Sequence, residues 1–200
     1  GVVVDPVKAY QCMGMRVDAG VQLWYDTVGW EGPSPAEVKE RITRHIMQDF
    51  SERGQPKPGV RPVLDFFRRE RVPMAVASSA PPEYIDHVLD GLGITGYFDL
   101  VYSAEHEPQG KPHPGVYLTA ARRLGVPPAA CVVFEDSVAG VQAAAAAGMV
   151  CVCVPEPHMF NDPRIQAADY VLHSLTEFDA ALWEEIKHAR LTRSGGSHSS

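Results

Sequence analysis

Glu135 and Asp136 stand side by side at the end of an apolar run, Cys131-Val132-Val133-Phe134, and Ser137 leads on into an alanine-rich stretch. Adjacent carboxylates at the end of a buried strand offer hard oxygen donors to a cation such as Mg²⁺. Taken alone, the pair also reads as a helix-capping acid beside a surface acid. Two further segments carry complementary groups. The apolar run 74–77 stops at Ser78-Ser79, whose hydroxyls suit an oxyanion together with the N–H groups that follow them. Gly110-Lys111-Pro112-His113-Pro114 places a lysine just ahead of a helix, with prolines fixing the backbone on both sides of His113. A lysine so placed neutralises phosphate and developing negative charge. Singly, Ser78-Ser79 reads equally as a helix cap, Lys111 as a solvated lysine, and His113 as a packing or capping residue. Together, a hydroxyl, a lysine and a carboxylate pair describe a phosphate-plus-Mg²⁺ site.

These groups need a scaffold that brings strand ends together. After the breaker-rich segment 54–59 the pattern alternates. Helices are expected over 60–70, 82–92, 114–124 and 138–147, with strands over 73–78, 98–101, 131–135 and 150–154. A short strand at 170–172 precedes a last helix near 177–190. Helix–strand alternation with strands apolar on both faces predicts an α/β fold, a doubly wound parallel sheet of Rossmann-like type. In such sheets, ligands bind at the carboxyl ends of the strands.

Residues 1–56 read as a small, partial helical lobe, 57–190 as the α/β core and 191–200 as a disordered Ser/Gly-rich tail. In the lobe, helix-like spacing covers 7–13 and 19–28. Ser34-Pro35-Ala36-Glu37 is a capping box with proline in the first turn, opening a helix to about residue 50. Its apolar face is expected to carry Val38, Ile42, His45/Ile46 and Phe50.

The 200 residues carry a net charge of −7 and no dominant basic block, which argues against nucleic acid as a partner. No run of about 18 apolar residues points to a membrane. The four cysteines form no disulfide framework and read as reduced thiols, Cys131, Cys151 and Cys153 in strands, implying a reducing, cytoplasmic setting.

These motifs resemble those of the haloacid dehalogenase superfamily of phosphohydrolases. The matching stretches are 75–79, 110–114 and Val133-Phe134-Glu135-Asp136-Ser137-Val138-Ala139-Gly140 with Ala146-Ala147-Gly148-Met149. The likeness is to the branch of sugar-phosphate phosphatases and β-phosphoglucomutase-like enzymes that carry a helical cap. In the cap, Met13-Gly14-Met15-Arg16-Val17, Leu23-Trp24-Tyr25 and Trp30-Glu31-Gly32-Pro33-Ser34 are similar to bacterial 2-deoxyglucose-6-phosphate (hexitol-phosphate) phosphatases. The resemblance covers about residues 1–185. It implies that Ser78 binds the transferring phosphoryl group and that Ser79 assists. By the same likeness Lys111 holds the phosphate, Asp136 ligates Mg²⁺, and Glu135 supports the metal directly or through water. Arg16 would contact the substrate, a small phosphorylated metabolite, with a surface salt bridge as the open alternative.

One family motif is not found. The family places an aspartate nucleophile and an acid–base aspartate, two residues apart, at the end of its first strand. No Asp-x-Asp occurs in the chain; Asp5 after Val2-Val3-Val4 is the single candidate, and position 7 is valine. The better alignment starts the chain inside the cap, so the first core strand is expected to be missing from between the strands that end at Ser78 and Glu135. Two readings of function follow. One is a Mg²⁺-dependent phosphatase of small sugar phosphates acting through a phospho-aspartate, with a mutase as its close variant. The other is a catalytically inactive form that keeps an anion- and metal-binding pocket.

Overall fold

The computed structural model describes residues 12–195. The expected helix over 7–13 and the candidate Asp5 fall outside these residues, apart from Cys12 and Met13, which lie in a turn. Seven α-helices and five short strands follow among the described residues: α1 (Val17–Thr27), α2 (Pro35–Arg53), α3 (Val60–Arg69), β1 (Ala75–Ser78), α4 (Pro82–Leu92), β2 (Leu100–Ser103), α5 (Gly115–Leu124), β3 (Val132–Glu135), α6 (Val138–Ala146), β4 (Val150–Cys153), β5 (Tyr170–Val171) and α7 (Ala180–Gly195). Helix α7 runs through Gly195, so residues 191–195 of the expected disordered tail are helical instead; 196–200 lie outside the described residues. Among the described residues, no helix is long and apolar enough to cross a membrane.

The start of α2 shows how the sequence sets an element. Ser34 Oγ accepts from the N–H of Glu37, and the Glu37 carboxylate accepts from the Ser34 N–H at 2.8 Å. Two of the helix's orphan donors are thereby satisfied. The inward face differs by a step from the expected one: Thr43 is buried while His45 is exposed. Positions 39, 42/43, 46 and 50 share a face at 3.6 residues per turn, and His45 falls off it.

The strands make two parallel sheets. β1 pairs with β2, Ser78 opposite Ser103, and β3–β4–β5 pair with Glu135 opposite Cys153. Helices cover both faces. Cys151 and Cys153 of β4 pack with Val116 and Tyr117 of α5 and Val141 and Ala144 of α6. The alternate residues Val150 and Val152 pack with Phe67 of α3 and Trp183 and Ile186 of α7. This period-two division puts every side chain of β4 in a core, which explains its unbroken apolar sequence. None of the four cysteines is in a disulfide, and burial pushes the Cys153 thiol up to about 12.

Between the two sheets lies an apolar cavity of about 370 Å³. Ala75 and Ala77 of β1 line one side, and Val132, Val133 and Phe134 of β3 the other. β1 pairs only with β2 and β3 only with β4 among the described residues, so each sheet turns an unpaired backbone edge towards this cavity.

Candidate functional site

The carboxyl ends of β1 and β3 open into one polar pocket of about 360 Å³. Its wall brings together Ser78, Ser79, Lys111, Glu135 and Asp136, five of the six residues singled out from the sequence, and adds Lys57. Arg16 is elsewhere. Its Nε and Nη2 are engaged by Asp18, at 2.9 and 2.5 Å, and its Nη1 donates to the carbonyl of Glu107 at 2.9 Å. Arg16 thus ties the start of α1 to the segment after β2 and stays off this pocket's wall.

Glu135 is the hub. Lys111 Nζ lies 2.5 Å from its Oε1, both side chains only 7% exposed, and the Tyr117 hydroxyl donates to the same oxygen. Oε2 accepts from the N–H of Asp136 at 3.1 Å, the N–H of Ser137 at 3.4 Å and the Ser137 hydroxyl at 3.0 Å. A carboxylate has about four lone-pair sites, and these donors fill them. In this arrangement Glu135 is the counter-ion of the buried Lys111 ammonium. Helix α6 must come close for this. A Cβ on Gly140 would run into the Glu135 carboxyl group, so any larger residue there would push that carboxylate off its donors. Ser137 caps α6, its Oγ accepting from the Gly140 N–H at 3.0 Å.

Burial works against the charge on Glu135, yet Lys111 and Tyr117 hold its pKa below the usual carboxylate range. Because the folded value is the lower one, this carboxylate stabilises the fold above the unfolded value of about 4.3, and the contribution is lost as pH falls through the folded value. Urea midpoints measured between about pH 6 and about pH 3 should fall steeply for the native chain and less steeply for Glu135→Gln.

Asp136 is turned the other way, into the pocket, with 56% of its side chain exposed. The pocket walls keep part of the solvent from it, and this partial desolvation, then the charge of Glu135, raise its pKa. Lys57 Nζ lies 3.6 Å from Asp136 and 3.0 Å from Glu156. Burial opposes the charge on Lys57 as well, but these two carboxylates hold its pKa above the usual lysine range. Oxygen donors that already gather around one ammonium fit a hard cation, and Asp136 is the residue that would hold it. Among the described residues, no group of three histidines, cysteines or acids forms a ready-made metal cluster.

The hydroxyls differ in the same manner. Ser79 is buried and donates to the Gly14 carbonyl at 2.7 Å, fastening the segment before α1 to the end of β1. Ser78 Oγ accepts from the Ala80 N–H at 3.1 Å, a bond that leaves its own hydrogen for an incoming oxygen. Tyr117 and Lys57 are the two pocket-region residues that sequence reasoning passed over. A signal existed for Tyr117: a tyrosine on the sheet-facing side of a helix, among Val116, Ala120 and Ala121, needs a polar partner. Lys57 sits in the breaker-rich segment 54–59, where no periodicity shows direction.

Comparison with known proteins gives concordant matches. Residues 4–148 match the family model described as haloacid dehalogenase-like hydrolase. The chain is 41% identical over 168 residues to hexitol phosphatase B of Escherichia coli, covering 84% of this chain and 76% of that protein. It is 40% identical over 119 residues to fructose-1-phosphate phosphatase YqaB of Escherichia coli, covering 60% of this chain and 61% of that protein. The crystal structure of β-phosphoglucomutase from Clostridium difficile superposes with a TM-score of 0.83 at 22% identity, covering 96% of this chain and 86% of that one.

Proposed function

This chain belongs to the haloacid dehalogenase-like hydrolase family, and from that premise we propose that its pocket serves Mg²⁺-dependent removal of phosphate from small sugar phosphates. One observation carries the reading: Ser78, Lys111 and Asp136 share a single pocket where the two sheets meet. The Ser78 hydroxyl and the N–H groups after β1 bind phosphoryl oxygens. The Lys111 ammonium, aimed by Glu135, balances the charge that builds on the transferring group. Asp136 would hold Mg²⁺, and the ion would supply further positive charge to the phosphoryl group.

The attacking carboxylate belongs to a strand that seats between β1 and β3, in the apolar cavity, and ends in the same pocket. Its oxygen bonds to phosphorus as the phosphorus–sugar oxygen bond breaks, and a second carboxyl protonates the leaving alkoxide. Water then cleaves the acyl phosphate. An Asp-x-Asp strand supplies both acids; within this sequence Asp5 lacks the second. The mutase variant has no comparable support, because a 22% identical structure speaks for the fold alone.

Calorimetry with inorganic phosphate tests the pocket. Replacing Lys111 by methionine and Glu135 by glutamine together leaves the net charge unchanged. Phosphate affinity should fall by about 10- to 150-fold, the worth of one charged hydrogen bond of about 1.5–3 kcal/mol. Equal binding by both proteins would take Lys111 out of the site. Turnover of a hexitol phosphate that disappears in Asp5→Asn would place the nucleophile at Asp5 instead. Phosphate binding with no turnover in the presence of an added Asp-x-Asp strand would favour the inactive form.

A further inference from the structure

A second concavity of about 360 Å³ adjoins the phosphate pocket. Asp136 and Ser137 belong to both, forming a shared rim. Beyond that rim the wall includes Met13, Met15, Met159, Gln142 and Arg164. None of these five carries a role in the phosphate site. We propose that this second concavity seats the polyhydroxyl leaving group of the substrate and that Gln142 and Arg164 select it; the inference rests on the sugar-phosphate phosphatase reading above.

Position is the first argument. A molecule whose phosphate lies against Ser78 and Lys111 can reach the adjoining concavity across the rim that Asp136 and Ser137 form between the two. The volume falls within the range of about 300–1,000 Å³ typical of small-molecule sites. Lining chemistry is the second. Three methionine thioethers offer an apolar surface that adapts its shape, suited to the C–H faces of a carbohydrate. An amide and a guanidinium add donors and an acceptor for hydroxyl groups.

The state of Arg164 narrows the ligand. Asp162 takes its Nε at 3.0 Å and its Nη2 at 2.6 Å, and also the Arg164 backbone N–H at 2.8 Å. This fork-to-carboxylate pairing fixes the guanidinium plane and balances its charge, while the remaining N–H groups stay outside the pair. With 58% of its side chain exposed, Arg164 is accessible from the concavity. A neutralised, oriented donor set suits uncharged hydroxyls and gives little to a second phosphate. The concavity therefore favours a monophosphate of a linear or cyclic polyol over a bisphosphate.

The test is titration calorimetry of the whole chain with inorganic phosphate, a hexitol 6-phosphate, a hexitol 1,6-bisphosphate and phenyl phosphate. For the native chain the hexitol monophosphate should bind more tightly than inorganic phosphate, and the bisphosphate no more tightly than the monophosphate. In Gln142→Leu/Arg164→Leu the ratio of hexitol-phosphate to inorganic-phosphate affinity should drop about tenfold or more, while the ratio for phenyl phosphate holds. Circular dichroism checks that the variant is folded. An unchanged hexitol ratio overturns the inference and leaves the phosphate site standing. Tighter binding of the bisphosphate that is lost in Arg164→Leu also overturns it, by making Arg164 a second anion site. A native chain that binds no inorganic phosphate refutes the underlying reading, and the inference with it.

Discussion

Replacing Glu135 by alanine should cost the protein about 3–5 kcal/mol of folding stability, the cost of leaving one partner of a buried ion pair alone. The Lys111 ammonium would remain 7% exposed with no carboxylate beside it, and the buried Tyr117 hydroxyl and the Ser137 hydroxyl would lose their acceptor. Folding stabilities are commonly about 5–15 kcal/mol, so this single change removes a large share. Urea unfolding followed by tryptophan fluorescence gives the size. The double change Lys111→Met/Glu135→Gln removes both charges and should recover most of the loss, because no unpaired charge stays buried. Similar stability for Glu135→Ala and the native chain would show that the pair opens to water and that Glu135 is not the hub it is taken to be.

A synthetic strand of five or six β-branched residues ending in Asp-x-Asp should bind this chain, raise its melting temperature and bring about phosphate release from a hexitol phosphate. Among the described residues the sheets present two edges on an apolar cavity of about 370 Å³, with Ser78 and Glu135 at their carboxyl ends. A strand placed there would gain backbone hydrogen bonds on both sides. It would also bury about four aliphatic side chains at about 1.5–3 kcal/mol each. Mass action then stabilises the fold by about 2.7 kcal/mol when the free peptide is at about 100 times its dissociation constant. A control peptide ending in Asn-x-Asn should bind and stabilise equally yet give no turnover, since an amide cannot form the acyl phosphate. If neither peptide shifts the melting temperature, the cavity is not a strand acceptor and the assigned position of the nucleophile is wrong.

Much of this architecture is legible in the chain as written. The capping box at Ser34, the proline-led start of α4 and the unbroken apolar run of β4 are short-range signals, each set by a few consecutive residues, and the structure places the elements within a few positions of expectation. Strand ends follow from the same signals. For that reason Ser78 and Asp136 meet, since both parallel sheets turn the carboxyl ends of β1 and β3 to one pocket, and the segment ahead of α5 brings Lys111 to it.

Orientation within the pocket is of another kind. Glu135 and Asp136 are neighbours of nearly the same chemistry, yet one is sealed under Lys111 and Tyr117 and the other opens to solvent. Successive side chains of a strand point to opposite sides, but which side meets a tyrosine and a lysine depends on how α5, packed on β1 and β2, brings Tyr117 to Glu135. Arg16 and Lys57 make the same point: their partners Glu107 and Asp136 lie far along the chain, and no local pattern links them. The pairing of distant residues comes from burial and packing, and with it come the closed Glu135–Lys111 pair, the open Asp136 and the cavity between the two sheets. The residue types and their order specify a phosphate-handling α/β hydrolase; three-dimensional packing assigns each carboxylate its task.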